Sequence, residues 1–189
     1  MRVLGAIIAG GKSSRMGQEK ALMVWQGKPL IAHVVELLGP QVDALVINAN
    51  ADALRFGFLG LPVFPDERRD IHTPLAGLHA ALRWAAHRSF DAVLTVPCDG
   101  PFLPPDLRTR LAAQTPAVAA SGGQTHYLTG LWPVSLQRVL ETSLASGLRR
   151  AQDFVALVEA KSVEWPMTPC DPFANINTPE DFDRLSEKP

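Results

Sequence analysis

Two cysteines in 189 residues are too few to staple a fold. Cys98 and Cys170 stand far apart and form no Cys-x-x-Cys pair, so they read as ordinary thiols of a reducing compartment. Metal-ligand spacing is missing too. His33, His72, His79, His87 and His126 show no His-Glu-x-x-His and no Cys/His pattern, and a zinc site is not expected. His72 alone falls in a loop where it could touch a ligand. There is no Gly-x-Ser-x-Gly and no recognisable Ser-His-Asp order, which argues against a serine hydrolase. No apolar stretch approaches membrane-spanning length. The opening Met1-Arg2 and apolar run imitate a signal peptide, yet the run is short and leads into glycines and cations instead of a small-residue cleavage site. An excess of one charge is also lacking. Lys and Arg number 18 against 19 Asp and Glu, leaving −1, so no broad basic surface for nucleic acid is expected and any anion site must be local. These absences together predict a cytoplasmic protein without nucleic-acid or membrane partners.

What is present is a globular composition, 47% hydrophobic and 20% charged, at a length near that of one α/β domain. Apolar runs at 3–8, 44–48 and 91–96 read as strands buried on both faces, with a weaker one at 63–64. Helical spacing occupies 30–38, 74–87 and 104–114, each opened by a proline. This alternation predicts a single three-layer α/β/α domain with a mostly parallel, Rossmann-like sheet. Beyond residue 115 the pattern changes. A strand at 117–120, a Gly-Gly turn at 121–124 and a strand at 127–132 predict an antiparallel return. Helices at 133–145 and 148–158, a strand at 162–165 and a helix capped by Thr178 complete the expectation. Ligands of such sheets sit beyond the carboxyl ends of strands, where Gly10 to Lys20, Asn48, Asn50 and Asp99 fall.

Residues 6–20 organise the chain. An apolar strand breaks into Gly10-Gly11, followed by Ser13, Ser14 and Gly17 and by Lys12, Arg15 and Lys20. Glycines let backbone N–H groups turn to a ligand, and nearby cations complete a cradle for phosphate. A P-loop is excluded, because its first glycine would have to be residue 6, which is Ala6. The adjacent glycines also lack the spacer of the dinucleotide fingerprint. Lys20 and Arg15 are candidates to stabilise charge on a triphosphate, and Lys12 can share that work. Asp99, fixed between Pro97 and Pro101 at a strand end, suits Mg²⁺, a hard ion that prefers oxygen ligands. Asp66 can accept from the N1–H and exocyclic amine of guanine, with Asp70 as its rival four residues on.

The same stretch resembles the nucleotidyltransferase signature L-A-G-G-x-S-x-R-M-G-x-D-K, with Ile8 in place of the leucine and Glu19 in place of the aspartate. The double glycine is similar to that of the molybdenum cofactor guanylyltransferases, the MobA family. The resemblance runs through residues 3–20, 48–50, 66–78, 97–107 and 174–182. It implies a nucleotidyltransferase-type domain, with residues 1–115 as the nucleotide half and 116–189 as the acceptor half. It also implies transfer of GMP from GTP to the phosphate of Mo-molybdopterin, with Mg²⁺ as cofactor. By this resemblance Ile8, Ala9, Gly10, Gly11, Lys20, Asn50, Asp66, Gly77 and Asp99 bind nucleotide. Lys20, Arg15 and Asp99 carry catalysis, Asp99 holds metal, and Asn175 and Asn177 lie near the pterin phosphate; Asn48 can instead brace the loop. Other cofactor-biosynthesis proteins and molybdoenzyme clients are further implied partners. Related activities remain open: a cytidylyltransferase acting on the same pterin, which usually carries L-A-A-G and D-x-D-T-P, or a sugar-nucleotide or isoprenoid-alcohol transferase. A nucleotide-binding delivery module is the non-enzymatic alternative.

Overall fold

The computed structural model describes residues 1–10, 20–50, 52–68, 70–71, 73–168 and 170–176. The expectations for Gly11, Lys12, Arg15, His72, Asn177 and the helix after Thr178 lie outside the described residues.

In chain order the elements are β1 (Val3–Ile8), β2 (Val24–Trp25), β3 (Lys28–Pro29), α1 (Leu30–Leu38), β4 (Ala44–Asn48) and β5 (Val63–Phe64). There follow α2 (Pro74–Ala86), β6 (Ala92–Pro97), α3 (Leu107–Ala112), β7 (Ala117–Ser121), β8 (Gln124–Pro133), α4 (Gln137–Ala145), α5 (Ala151–Leu157) and β9 (Lys161–Trp165). Seven strands form one sheet in the order β5-β4-β1-β6-β8-β7-β9. β4, β5 and β6 run parallel with β1, β8 opposes both β6 and β7, and β9 is parallel to β7. Among the described strands of this sheet only β8 runs against the rest, as the change of pattern after residue 115 predicts.

The alternation of side chains along each strand assigns the two faces. Val3 and Ile7 of β1 pack with Ile31, Val34 and Leu38 of α1 and with Leu107 and Leu111 of α3. Leu4, Ala6 and Ile8 pack with Leu75, Leu78 and Leu82 of α2, and the same layer holds Leu140 and Leu144 of α4 and Phe154 of α5. Both faces of β1 are therefore covered, and each fully buried Leu, Ile or Val contributes roughly 1.5–3 kcal/mol. This is the expected three-layer arrangement.

The differences from the expected elements have local causes. α3 begins at Leu107, later than the proline pair suggests, because Pro104 and Pro105 sit in the turn before it. Pro133 closes β8 and does not open a helix; a short 3₁₀ turn, Val134–Leu136, separates it from α4. The hairpin between β7 and β8 turns on Gly122 and Gly123, both with positive φ (54° and 77°), which L side chains adopt at a cost. A two-stranded hairpin of β2 and β3 and a 3₁₀ segment, Ala53–Leu59, have no counterpart in the predicted elements. Trp25 of that hairpin packs with Leu30 and Ile176, bringing the segment before the C-terminus against the chain just after Lys20.

Candidate active site

The chain leaves β1 outward through β4 to β5, then returns to β6 on the other side of β1. This reversal opens a crevice outside the carboxyl ends of the strands, the place where such sheets bind ligands. The strand ends are tied to one another there. Ala9 N–H donates to the Asn48 carbonyl at 2.8 Å, Ala49 N–H to the Phe64 carbonyl at 3.0 Å, and Cys98 N–H to the Ile8 carbonyl at 3.3 Å.

On the β4–β5 side, three polar side chains form one network. Asp66 accepts from Asn48 Nδ2 at 3.0 Å through Oδ1 and from Asn50 Nδ2 at 2.7 Å through Oδ2. Its own N–H donates to Asn50 Oδ1 at 2.9 Å. Each carboxylate oxygen keeps a lone pair for a further donor. Asn48 is fully buried, and among the described residues its Oδ1 has no hydrogen-bond partner. Gly10 borders the network: a Cβ there would lie 3.4 Å from Asn50 Nδ2 and 3.5 Å from Asn48 Oδ1. Gly77, in the first turn of α2, comes closer still. A Cβ on it would stand 2.5 Å from Asn48 Oδ1, inside van der Waals contact, so only glycine lets α2 seat against Asn48. α2 is brought there by Pro74 at its first turn and by Thr73, whose hydroxyl accepts from Leu75 N–H at 3.3 Å. Asp70 is not part of this network; it is exposed and paired with Arg68 at 3.0 Å. Between the two candidate aspartates, Asp66 is the one the fold brings to the crevice.

At the end of β6, Lys20 Nζ stands 3.5 Å from Asp99 Oδ2. Asp99 is largely buried, its side chain 15% exposed. Burial pushes its carboxyl above the ordinary aspartate value, more than the Lys20 ammonium pulls it back. A largely buried carboxylate at a strand end, with Lys20 beside it, fits a divalent cation. Among the described residues no group of three or more His, Cys, Asp or Glu is gathered to hold a metal. One protein carboxylate, with water and substrate phosphate as the remaining ligands, is the arrangement Mg²⁺ accepts.

Beyond β6 the crevice continues as a cleft of about 290 Å³, bordered by Pro97, Gly100, His126, Phe173 and Asn175 among others. The backbone holds this side to Asp99: Ile176 N–H donates to the Asp99 carbonyl at 2.9 Å. Asn175 Oδ1 would be 3.4 Å from a Cβ on Gly100. Asn175 thus lies at the same edge as Asp99, while Asn177 is not described. Ile8, Ala9, Gly10, Lys20, Asn50, Asp66, Gly77, Asp99 and Asn175 all fall along this one edge.

A cluster without a sequence signature stands behind the wall of the cleft. Ser121 Oγ is 2.7 Å from His126 Nε2 and 2.7 Å from Asp171 Oδ1, and Asp171 Oδ1 also accepts from Phe173 N–H at 2.9 Å. The three residues have no motif spacing, and Asp171 is fifty positions from Ser121. The available signal was topological. Once β8 runs backward, its beginning shares an edge with the end of β7.

Residues 5–163 match the family model described as the MobA-like NTP transferase domain. A relative from Rhodobacter capsulatus, named molybdenum cofactor guanylyltransferase, is 46% identical over 190 residues, covering 100% of this chain and 97% of its own. The structure of molybdopterin-guanine dinucleotide biosynthesis protein A from Archaeoglobus fulgidus is 27% identical, with a TM-score of 0.71 over 97% of each chain. A 4-diphosphocytidyl-2C-methyl-D-erythritol synthase from Anaerococcus prevotii is 14% identical, with a TM-score of 0.68 over 97% of this chain and 93% of its own, and shares the fold.

Proposed function

The chain belongs to the family of MobA-like NTP transferases, and from that premise we propose that it transfers GMP from GTP to the phosphate of Mo-molybdopterin. The products are the guanine dinucleotide form of the cofactor and pyrophosphate. The observation that carries the reading is the Lys20–Asp99 pair, standing between the Asn48–Asn50–Asp66 network and a separate cleft. Two subsites meeting at one cation–carboxylate pair suit the joining of two phosphate-bearing substrates. The identity of those substrates comes from the names of the relatives.

In this mechanism Asp66, fixed by Asn48 and Asn50, accepts from guanine N1–H and its exocyclic amine, a pair of donors that adenine lacks. Ile8, Ala9, Gly10 and Gly11 line the nucleotide. An oxygen of the acceptor phosphate attacks the α-phosphorus of GTP, forming a new P–O bond. The bond between the α-phosphorus and the bridging oxygen breaks, and pyrophosphate leaves with both electrons. A phosphate monoester is mostly ionised at pH 7, so no general base is needed. Lys20, with Arg15, stabilises charge as it grows on the leaving group. Asp99 would hold Mg²⁺, which when bound neutralises phosphate charge and orients the reacting groups. Asn175 serves the pterin phosphate, a role that Asn177 shares by resemblance to the family's C-terminal motif. The protein works in the cytoplasm, supplying molybdoenzyme clients.

The test is pyrophosphate release by the purified protein with Mg²⁺ and Mo-molybdopterin, comparing GTP, CTP and ATP. Release with GTP at least about tenfold faster than with CTP or ATP is expected, as the loss of one well-placed hydrogen-bonding partner is worth roughly 1–3 kcal/mol. Equal rates with GTP and CTP would overturn the guanylyl assignment.

A further inference from the structure

The Ser121–His126–Asp171 cluster is not a nucleophilic triad. In a triad the histidine lies between serine and carboxylate and withdraws the serine proton. Here serine is the middle member, and its hydroxyl donates to the Asp171 carboxylate at 2.7 Å. A serine hydroxyl has one proton. With that proton committed to Asp171, the 2.7 Å contact between Ser121 Oγ and His126 Nε2 requires the histidine to donate. Nε2 therefore carries the hydrogen. Burial holds the imidazole below its ordinary pKa, against the opposing pull of Asp171 and Glu164, which favours the neutral ring. In the neutral ring with Nε2 protonated, Nδ1 is a bare acceptor. Among the described residues Nδ1 has no hydrogen-bond partner, and His126 lines the cleft that Gly100 and Asn175 share.

The arrangement is rigidly determined. Ser121 is buried at the end of β7, and His126 lies opposite Ala119 in the β7–β8 ladder. Phe173 packs against the imidazole at 4.9 Å between centroids, and Trp165 packs against Phe173 at 5.3 Å. Asp171 is fixed by the Phe173 N–H. A chain of donors running from the cleft toward Asp171 thus sets the tautomer of one ring at the cleft wall.

We infer that His126 is a recognition residue for the acceptor, accepting through Nδ1 a hydrogen bond from an N–H of its pterin ring, with Ser121 and Asp171 as positioning residues that fix the tautomer. This rests on the pterin acceptor proposed above. A group that offers only acceptors to Nδ1, such as a sugar ring ether or a phosphate oxygen, gains nothing there.

Two substitutions separate recognition from bracing. His126→Asn leaves an amide oxygen near the Nδ1 position but cannot reach Ser121. His126→Gln reaches Ser121 but leaves Nδ1 unreplaced. With Mo-molybdopterin and GTP, His126→Gln should raise the acceptor KM about tenfold, which corresponds to about 1.4 kcal/mol and to one lost hydrogen bond, and His126→Asn, which keeps that bond, no more than about threefold. GTP affinity measured by calorimetry should stay within about twofold in both, which also shows that they are folded. In ¹⁵N NMR spectra of the unmutated protein, His126 Nδ1 should be unprotonated and should shift on adding Mo-molybdopterin, not GTP. The reverse order of the two variants, or a protonated Nδ1, would overturn the assignment and leave a structural brace. If the unmutated protein released no pyrophosphate with Mo-molybdopterin, the proposed function itself would fail. Normal release with an unchanged KM in His126→Gln would defeat only the role of His126.

Discussion

The two sides of the strand-end crevice are built on different principles. On the β4–β5 side the polar side chains close on one another, and Asp66 is held through both oxygens by Asn48 and Asn50. On the β8 side a cleft of about 290 Å³ stays open, and its polar residues are held from behind, His126 through Ser121 to Asp171. Strand direction accounts for the contrast. Parallel strands deliver successive loops to one edge, so Asn48 and Asn50 at the end of β4 and Asp66 just past β5 come within bonding distance. β8 brings its beginning to that edge instead, and residues 170–176 must return to close the far wall. The first side can fix a ligand group in advance, while the second depends on contacts between segments distant in sequence. Asp99 and Lys20 stand at the seam.

The largest effect is expected at the seam, where neither side works alone. Asp99→Asn should lower kcat on the order of 100-fold, the usual scale for removing one preorganised electrostatic group. The same substitution should not weaken the fold. Burial raises the folded-state pKa of Asp99, so the folded protein holds that proton more tightly than the unfolded chain. The group therefore favours folding below its unfolded value, and that advantage is lost as pH rises through the folded value. At pH 7 without metal, thermal unfolding of Asp99→Asn should occur at or above the temperature of the unmutated protein. The difference should shrink as the buffer is taken below the ordinary aspartate range. A variant that melted lower, or kept more than half its turnover at limiting Mg²⁺, would mean that Asp99 is a structural ion-pair partner of Lys20.

The next effect belongs to the closed side. Gly77→Ala places a methyl group 2.5 Å from Asn48 Oδ1, so Asn48 or the start of α2 must move. Overpacking of this kind costs about 1–3 kcal/mol. Because Asn48 holds Asp66, GTP affinity should fall by roughly tenfold with little change in acceptor KM, as measured by calorimetry and initial rates. An equal loss on both substrates would show that the two sides are not separable.

The contrast also explains what the sequence could reveal. Buried strands, proline-opened helices and the glycine–cation stretch are local patterns, and they yield the three-layer fold, the reversed strand and the residues at the parallel strand ends. Asp66 and Asp70 look alike in sequence. Only the fold separates them, by bonding Asp66 to two asparagines and Asp70 to Arg68. Asn48 and Asn50 exchange emphasis for a similar reason. Both bond Asp66, but Asn48 is buried beneath Gly77 and Asn50 is exposed. The Ser121–His126–Asp171 cluster was illegible because its members meet only through an antiparallel return and a closing segment, neither of which leaves a spacing to read.

The smallest effect is expected at Asn175, and it sharpens the comparison most. Asn175 is exposed at the mouth of the open side, yet its neighbour Ile176 is buried and bonded to the Asp99 carbonyl. The backbone is therefore set by Ile176, and the exposed Asn175 side chain makes no hydrogen bond among the described residues, so it can serve a ligand without bearing on them. Replacing it with alanine removes one exposed amide, and exposed substitutions of this kind usually change stability by less than about 0.5 kcal/mol. The melting temperature should stay within about a degree or two of the unmutated value, and GTP affinity within about twofold. Acceptor KM should rise about threefold, the scale of one net hydrogen bond. Titration with GTP alone and initial rates against Mo-molybdopterin distinguish the outcomes. If Asn175→Ala lost GTP affinity and kept its acceptor KM, this asparagine would belong with the nucleotide. The seam at Asp99 would then no longer divide the two sides, because Asn175 borders Gly100 on the β8 side of it.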